Sequence, residues 1–447
     1  MKRWRTRIAA GGLAAAVAAV VVVALNLRDE GDGATAAPAA SAPAPSATGG
    51  ALGGGPPAAA SATATQAATI ERGRYLALAG SCAGCHTAPG GPAFAGGVGI
   101  PTPFGVVFAG NLTPDGATGL GAWTAGNFWR AMHNGRSRDG RLLYPAFPYT
   151  HFTQVTRDDS DALFSYLRSL RAVAQANRAH ELAFPYRTQA ALAVWRALYF
   201  RPGVFNPDAN RDADWNRGAY LVRGLGHCSA CHAPRDRLGG LDDTPELQGG
   251  LIPQLKWFAP ALGPTDAGPT PADLRTRWFA LLKTGQTTHA SASGPMAEVV
   301  FNSTQHLRDA DLRAVARFLA ELPPRPAPPQ RPIDAPAPVA AQLVAGQAIY
   351  KDRCAHCHAD DGRGTAGAYP PLAGNATVLM EPPANLVRIV LEGGFEPATA
   401  GNPRPHGMPP FAQDLSNADL AALLTHVRTA WGNRAAALQE LDVARYR

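Results

Sequence analysis

The sequence predicts an all-α chain built of three tandem helical repeats with long Gly/Pro-rich loops, behind an apolar N-terminal segment. Three observations predict it. The six cysteines fall into three pairs, each followed by histidine: Cys82-Ala-Gly-Cys85-His86, Cys228-Ser-Ala-Cys231-His232 and Cys354-Ala-His-Cys357-His358. A helical pattern precedes each motif, over Ile70–Gly80, Trp215–Leu225 and Leu343–Arg353. An amphipathic helix closes each repeat. The length of 447 residues agrees, at roughly 150 residues per domain. Apolar residues make up 46% and charged residues 17%, enough to bury sizeable cores. That excludes a disordered polyampholyte, a collagen and a multi-span membrane protein.

Taken in order, the chain opens on Lys2, Arg3, Arg5 and Arg7, then runs apolar from Ile8 to Leu27 with Asn26 its single polar side chain. Twenty helical residues span about 30 Å, the thickness of a bilayer core. Residues 1–30 are therefore expected to be a membrane anchor, its basic flank cytoplasmic. A cleaved signal peptide is the alternative, hidden in the Ala/Gly-rich run. Either way the rest of the chain lies on the periplasmic side. Residues 31–68 are almost wholly Gly, Ala, Pro, Ser and Thr, and read as a flexible linker with a span of roughly 35 Å. The first repeat is placed at 69–175. The second, with a connecting segment, takes 176–322. Proline fills half of Pro323–Pro338, so 323–340 reads as a semi-rigid spacer. The third repeat is 341–432, and 433–447 is a tail.

The repeats extend beyond the cysteines. Arg72–Leu76 and Arg217–Leu221 share Arg-Gly-x-Tyr-Leu. A short helix in each repeat closes on glycine, at Gly135, Gly285 and Gly393. The closing helix of the third repeat carries Leu420, Leu423, Leu424, Val427 and Trp431 at helical spacing, with Ser416 and Asp419 as an N-terminal capping pair. The first repeat has Thr156 and Asp159 before Leu163, Tyr166, Leu167 and Leu170. The second has Leu312, Val315, Leu319 and Leu322.

Cys-x-x-Cys-His is the attachment site of c-type haem. Two thiols bond the porphyrin, and the histidine is held under the iron. A zinc ribbon would need two pairs on one metal and no histidine each time. A thioredoxin-like pair would sit in a βαβ pattern, which is absent. Three covalent haem c groups are therefore expected, through Cys82, Cys85, Cys228, Cys231, Cys354 and Cys357. His86, His232 and His358 become the proximal iron ligands. Each repeat is then a class I cytochrome c domain wrapped around its cofactor.

A low-spin carrier needs a second axial ligand, most often methionine. Met296 follows Gly285 in Gly294-Pro295-Met296, and Met408 follows Gly393 in Met408-Pro409-Pro410-Phe411. Met380 sits before the short helix and reads as core filler. The first repeat has Phe147 where methionine is expected. His151 in the same loop is the leading candidate there and would give a bis-histidine haem. Met132 is the alternative. An open five-coordinate site and His133 are the remaining options.

On these residues the chain resembles the triheme cytochrome c subunit of membrane-bound bacterial dehydrogenases, including alcohol, gluconate and sorbitol dehydrogenases. The resemblance covers roughly residues 69–432. Further stretches that carry it are Asn111-Leu112-Thr113-Pro114, Trp215–Leu221, His232-Ala233-Pro234-Arg235 and Asn302–Leu307. Phe147 departs from the alcohol dehydrogenase pattern. The variant Pro145-Ala146-Phe147-Pro148-Tyr149-Thr150-His151-Phe152 looks more like cytochromes paired with molybdenum hydroxylases. The resemblance implies electron transfer from a periplasmic dehydrogenase subunit (molybdenum hydroxylase, quinoprotein or flavoprotein) to ubiquinone or a terminal oxidase.

No Rossmann glycine turn, phosphate loop or nucleophile elbow is present to suggest a catalytic site. The competing readings are a cytochrome arm of a terminal oxidase and a peroxidase-like enzyme at an open first haem. Phe184–Phe200, with Trp195, Arg196 and Tyr199, reads as inter-domain core or as a docking face. The formal charge of +7 invites a nucleic-acid reading, but each haem brings two propionates. Three haems would offset up to about six charges, so no nucleic-acid partner is expected.

Overall fold

The computed structural model describes residues 20–24, 26, 58–242, 245–266, 268–325 and 340–447. Most of the expected anchor, most of the 31–68 linker and the spacer 326–339 lie outside these residues. Among the described residues no helix is long and apolar enough to cross a membrane.

The chain divides into two compact units, residues 1–77 with 85–206 and residues 78–84 with 207–447. The first repeat, apart from residues 78–84, builds the first unit. The second and third repeats share the second unit. The connection expected to open the second domain folds instead with the first unit, up to residue 206. Strand pairing and side-chain bonds explain this. Asn177 Oδ1 accepts from the Asn111 N–H at 2.7 Å, and His180 Nδ1 accepts from the Phe108 N–H at 3.1 Å.

In the first repeat, α1 is Ala58–Ala79, α2 Cys82–His86, β1 Gly99–Thr102, β2 Gly105–Phe108, α3 Ala125–Asn134, α4 Tyr149–Phe152 and α5 Arg157–Ser169. Strand β3, Glu181–Leu182, and helix α6, Gln189–Tyr199, follow in the connection. Helix α1 starts well before the expected Ile70. Its added turns run through an alanine-rich stretch with strong helix propensity, so the 31–68 linker ends in helix rather than coil. In α6, Leu192, Arg196 and Ala197 are buried, and Arg196 Nη1 donates to the Asn134 carbonyl. One face of the Phe184–Phe200 segment is therefore core of the first unit.

In the second unit, the second repeat comprises α7 Ala213–Arg223, α8 Ser229–His232, β4 Gly250–Ile252, β5 Trp257–Ala259, α9 Pro271–Thr284, α10 Pro295–Asn302 and α11 Asp309–Ala320. The third comprises α12 Ala340–Arg353, α13 Ala355–His358, α14 Ala376–Leu379, α15 Ala384–Glu392, β6 Gly394–Phe395, β7 Gly407–Met408, α16 Asn417–Thr429 and α17 Glu440–Ala444. The chain is helix-rich, yet the all-α expectation omits three small antiparallel sheets among the described residues, ordered β1-β2-β3, β4-β5 and β6-β7. The pairs β1-β2, β4-β5 and β6-β7 are Gly/Pro-rich loops folding back on themselves, and β3 joins the first from the connection. Their backbone groups find partners in one another.

The expected helix ends are present. Gly135, Gly285 and Gly393 cap α3, α9 and α15 with φ of 60°, 80° and 65°, the left-handed region that favours glycine. Ser416 and Asp419 form a full capping box on α16. Thr156 caps α5 through its hydroxyl, which accepts from the Asp159 N–H, and the Asp159 carboxylate accepts from Arg72 Nε at 2.7 Å. The apolar stripes face inward: Leu163 and Leu167, then Leu312, Val315, Leu319 and Leu322, then Leu420, Leu423, Leu424 and Val427 are all buried. In each repeat the first helix crosses the last. This crossing is the frame that holds the cysteine motif against the loops that follow it.

Candidate haem-binding sites

Each Cys-x-x-Cys-His motif lies on a short helix that begins soon after the repeat's first helix ends: Cys82 opens α2 three residues after Ala79, Cys228 precedes α8 five residues after Arg223, and Cys354 precedes α13 directly after Arg353. One helical turn puts both sulfurs and the imidazole on neighbouring positions. None of the six cysteines is in a disulfide. Burial pushes the Cys354 thiol up to about 11, as expected for a sulfur in an apolar wall.

The three histidines are held alike. His86 Nδ1 lies 2.7 Å from the Gly110 carbonyl, His232 Nδ1 2.6 Å from that of Pro260, and His358 Nδ1 3.0 Å from that of Pro370. A carbonyl only accepts, so each Nδ1 carries the hydrogen and each Nε2 presents a lone pair. That is the tautomer an Nε2 metal ligand needs, with the carbonyl fixing the ring. Burial lowers all three histidines from their ordinary value against a weaker opposing effect of that bond. That shift favours the neutral imidazole that metal ligation requires. The sequence reading missed these carbonyls. Only loop positions after each motif could have signalled them, and the loops differ in length.

The third repeat holds a cavity whose walls are mostly apolar with a few polar groups, the usual make-up of a cofactor pocket. Cys354, His358 and Met408 all line it, amid Leu386, Val390, Leu424 and Val427. The donor set suits a haem: a thiol and an imidazole from the cysteine motif, a soft thioether on β7, and apolar walls between. Met380 is not among the lining residues; its sulfur accepts from Asn385 Nδ2 at 3.7 Å. Met296 stands in the first turn of α10, half-buried. Arg428, fully buried on α16, ties the surrounding segments together by donating to the Val378, Met380 and Ala436 carbonyls and to Glu381. It occupies a helix position the stripe pattern marks as apolar, so its role had no sequence signal.

In the first repeat three candidates cluster on α3 and α4, all buried. Met132 and His133 are on α3 and His151 is on α4. His133 stacks on Trp129 with centroids 4.5 Å apart, and its Nδ1 lies 2.8 Å from the Thr153 carbonyl. His151 Nδ1 lies 3.2 Å from Thr150 Oγ1. Phe147 packs edge-on against Phe152, filling its position with hydrocarbon.

Comparison with known proteins agrees with this chemistry. The cytochrome c family model matches residues 70–171 and 343–431. A nicotinate dehydrogenase subunit of Pseudomonas putida is 42% identical over 80% of this chain, and the chain spans 30% of that relative's length. The cytochrome c subunit of alcohol dehydrogenase (quinone) from Komagataeibacter europaeus is 36% identical, over 82% of this chain and 81% of its own. The gluconate 2-dehydrogenase cytochrome c subunit of Pantoea cypripedii is 36% identical, over 85% and 90%. This chain therefore belongs to the cytochrome c subunits of dehydrogenases, a family that binds haem c covalently.

Proposed function

We propose that this chain carries three covalent haem c groups and passes electrons from a dehydrogenase catalytic subunit to ubiquinone or a terminal oxidase on the periplasmic side of the membrane. The observation that carries this reading is the third cavity, where Cys354, His358 and Met408 meet in one apolar space. The repeated Nδ1-to-carbonyl bond at His86, His232 and His358 extends it to all three motifs. Haem supplies a one-electron iron couple. The protein sets the axial ligands, excludes water and fixes ring orientation.

The ligand sets are His232 with Met296, His358 with Met408, and His86 with His151. His151 is buried and belongs to the loop that should offer a ligand, where Phe147 offers none. Met132 is its rival. The segment at Ile8–Leu27 anchors the chain. The Pseudomonas putida relative is named as part of a nicotinate dehydrogenase, and with the Phe147 variant it favours a molybdenum hydroxylase as partner.

The test is a haem count and a pull-down. Pyridine haemochrome assay of protein from native membranes should give three haems per chain, and each Cys-to-Ala pair should remove one. A dehydrogenase catalytic subunit should co-purify. Recovery of a haem-copper subunit instead, or a count other than three, overturns the reading.

A further inference from the structure

The third cavity has a wall that the third repeat does not supply. Ser291 and Ser293 line it beside Cys354, His358 and Met408. Both come from the turn between α9 and α10 in the second repeat. That turn is closed on itself: Gln286 bridges Ser291, and the Ala292 N–H donates to the Gly285 carbonyl at 2.7 Å. It is also pinned to the third repeat. The Ala376 N–H donates to the His289 carbonyl at 2.9 Å. Thr399 Oγ1 donates to the Thr284 carbonyl at 3.1 Å, and Gln286 Nε2 bonds the Glu396 carboxylate. The approach is close, since a Cβ on Gly285 would meet the Pro397 ring at 2.3 Å. Ser293 and Met296 stand three positions apart, at most about 11 Å of chain.

We propose that Ser291 and Ser293, supplied by the second repeat, tune the third haem. One short segment ends in the ligand of one haem and lines the pocket of the other. The proposal rests on the ligand reading above. Two hydroxyl dipoles in a mostly apolar wall favour the more highly charged ferric state over the ferrous one. Removing them makes the pocket more apolar, so the third haem becomes easier to reduce.

The test uses the full chain, titrated electrochemically and followed by electron paramagnetic resonance. Met408→His marks the third haem's signal. With Ser291→Ala and Ser293→Ala together, that haem's midpoint should rise while the first haem's stays, and threonine at both positions should restore the parent value. An unmoved or lowered third-haem midpoint at full haem content overturns this proposal alone. A haem content below three, or no signal that answers to Met408→His, removes the ligand reading and this proposal with it.

Discussion

Gly218 on α7 lies directly beneath the carbonyl of Ala314 on α11: a Cβ at 218 would sit 2.1 Å from that oxygen and 2.8 Å from Phe318 Cβ. The other repeats reproduce the contact. Gly73 meets the Ala162 carbonyl at 1.9 Å and Gly346 that of Ala422 at 2.1 Å, each measured from the same added Cβ. This backbone approach, more than any side chain, sets how closely the first helix of each repeat crosses the last.

Gly218→Ala should therefore destabilise the second unit. Alanine gains up to about 1 kcal/mol in helix propensity. Overpacking against backbone, which has no rotamer to yield, costs about 1–3 kcal/mol, so loss wins. Thermal unfolding should show a lower Tm. Gly116→Ala, where nothing lies within 4 Å, should leave it unchanged. An unchanged Tm for Gly218→Ala would show that the helices can part freely.

The same crossing carries an ion pair. Arg217 grips Asp311 through Nε at 2.7 Å and Nη2 at 2.9 Å, and Asp311 is only 8% exposed. Arg217→Ala strands that carboxylate and should cost about 1–2 kcal/mol in a denaturant titration. Asp311→Asn should cost less, since it strands no buried charge. The third repeat has Ala345 in place of the arginine, and there Asp419 caps its own helix through Ser416. Equal losses in the two variants would refute a role for the charge.

These contacts mark what was legible in the sequence. The Cys-x-x-Cys-His motifs, the glycine caps and the inward stripes follow from local rules, so Gly135, Gly285, Gly393 and the Ser416–Asp419 box stand where they were expected. The Arg-Gly-x-Tyr-Leu identity was visible, but not its reason. Only the crossing partner explains why Arg217 and Gly218 occur together. The histidine carbonyls, buried Arg428 and the serine wall were illegible because each joins segments far apart in sequence. The fold of residues 176–206 with the first unit depended on Asn177 and His180, two polar residues in a stretch that reads as connection.

Tyr149 sets a pH dependence in the first unit. Burial pushes its hydroxyl up to about 12 despite the Arg196 guanidinium. The folded value exceeds the unfolded one near 10, so its contribution is complete below about pH 10 and is lost as pH rises through about 12. Two pK units correspond to about 2–3 kcal/mol. Tyr149→Phe should flatten this part of the alkaline stability profile measured by denaturant titration. A profile parallel to the parent's would place the titration elsewhere.

The methionines divide by their surroundings. Met408→His should replace a thioether with a harder ligand and lower the third haem's midpoint. Met380→Leu should leave all midpoints in place, because that sulfur bonds Asn385 and does not line the cavity. Redox titration separates them, and a midpoint shift in the Met380 variant would reverse the assignment.

On the proposed three-haem reading the first haem provides the sharpest contrast, because Phe147 offers no ligand and the candidates Met132, His133 and His151 are all buried. A bis-histidine haem has a lower potential than one ligated by methionine. His151→Met should therefore raise the first haem's midpoint toward those of its neighbours, and His151→Ala should turn it high-spin with an open position. Met132→Leu and His133→Gln should leave it low-spin. His133 already has the Thr153 carbonyl and the face of Trp129 as partners, so its loss should appear in stability rather than in the spectrum. A high-spin first haem in the Met132 variant, with His151→Ala unchanged, would transfer the ligand to α3 and make all three haems histidine–methionine centres.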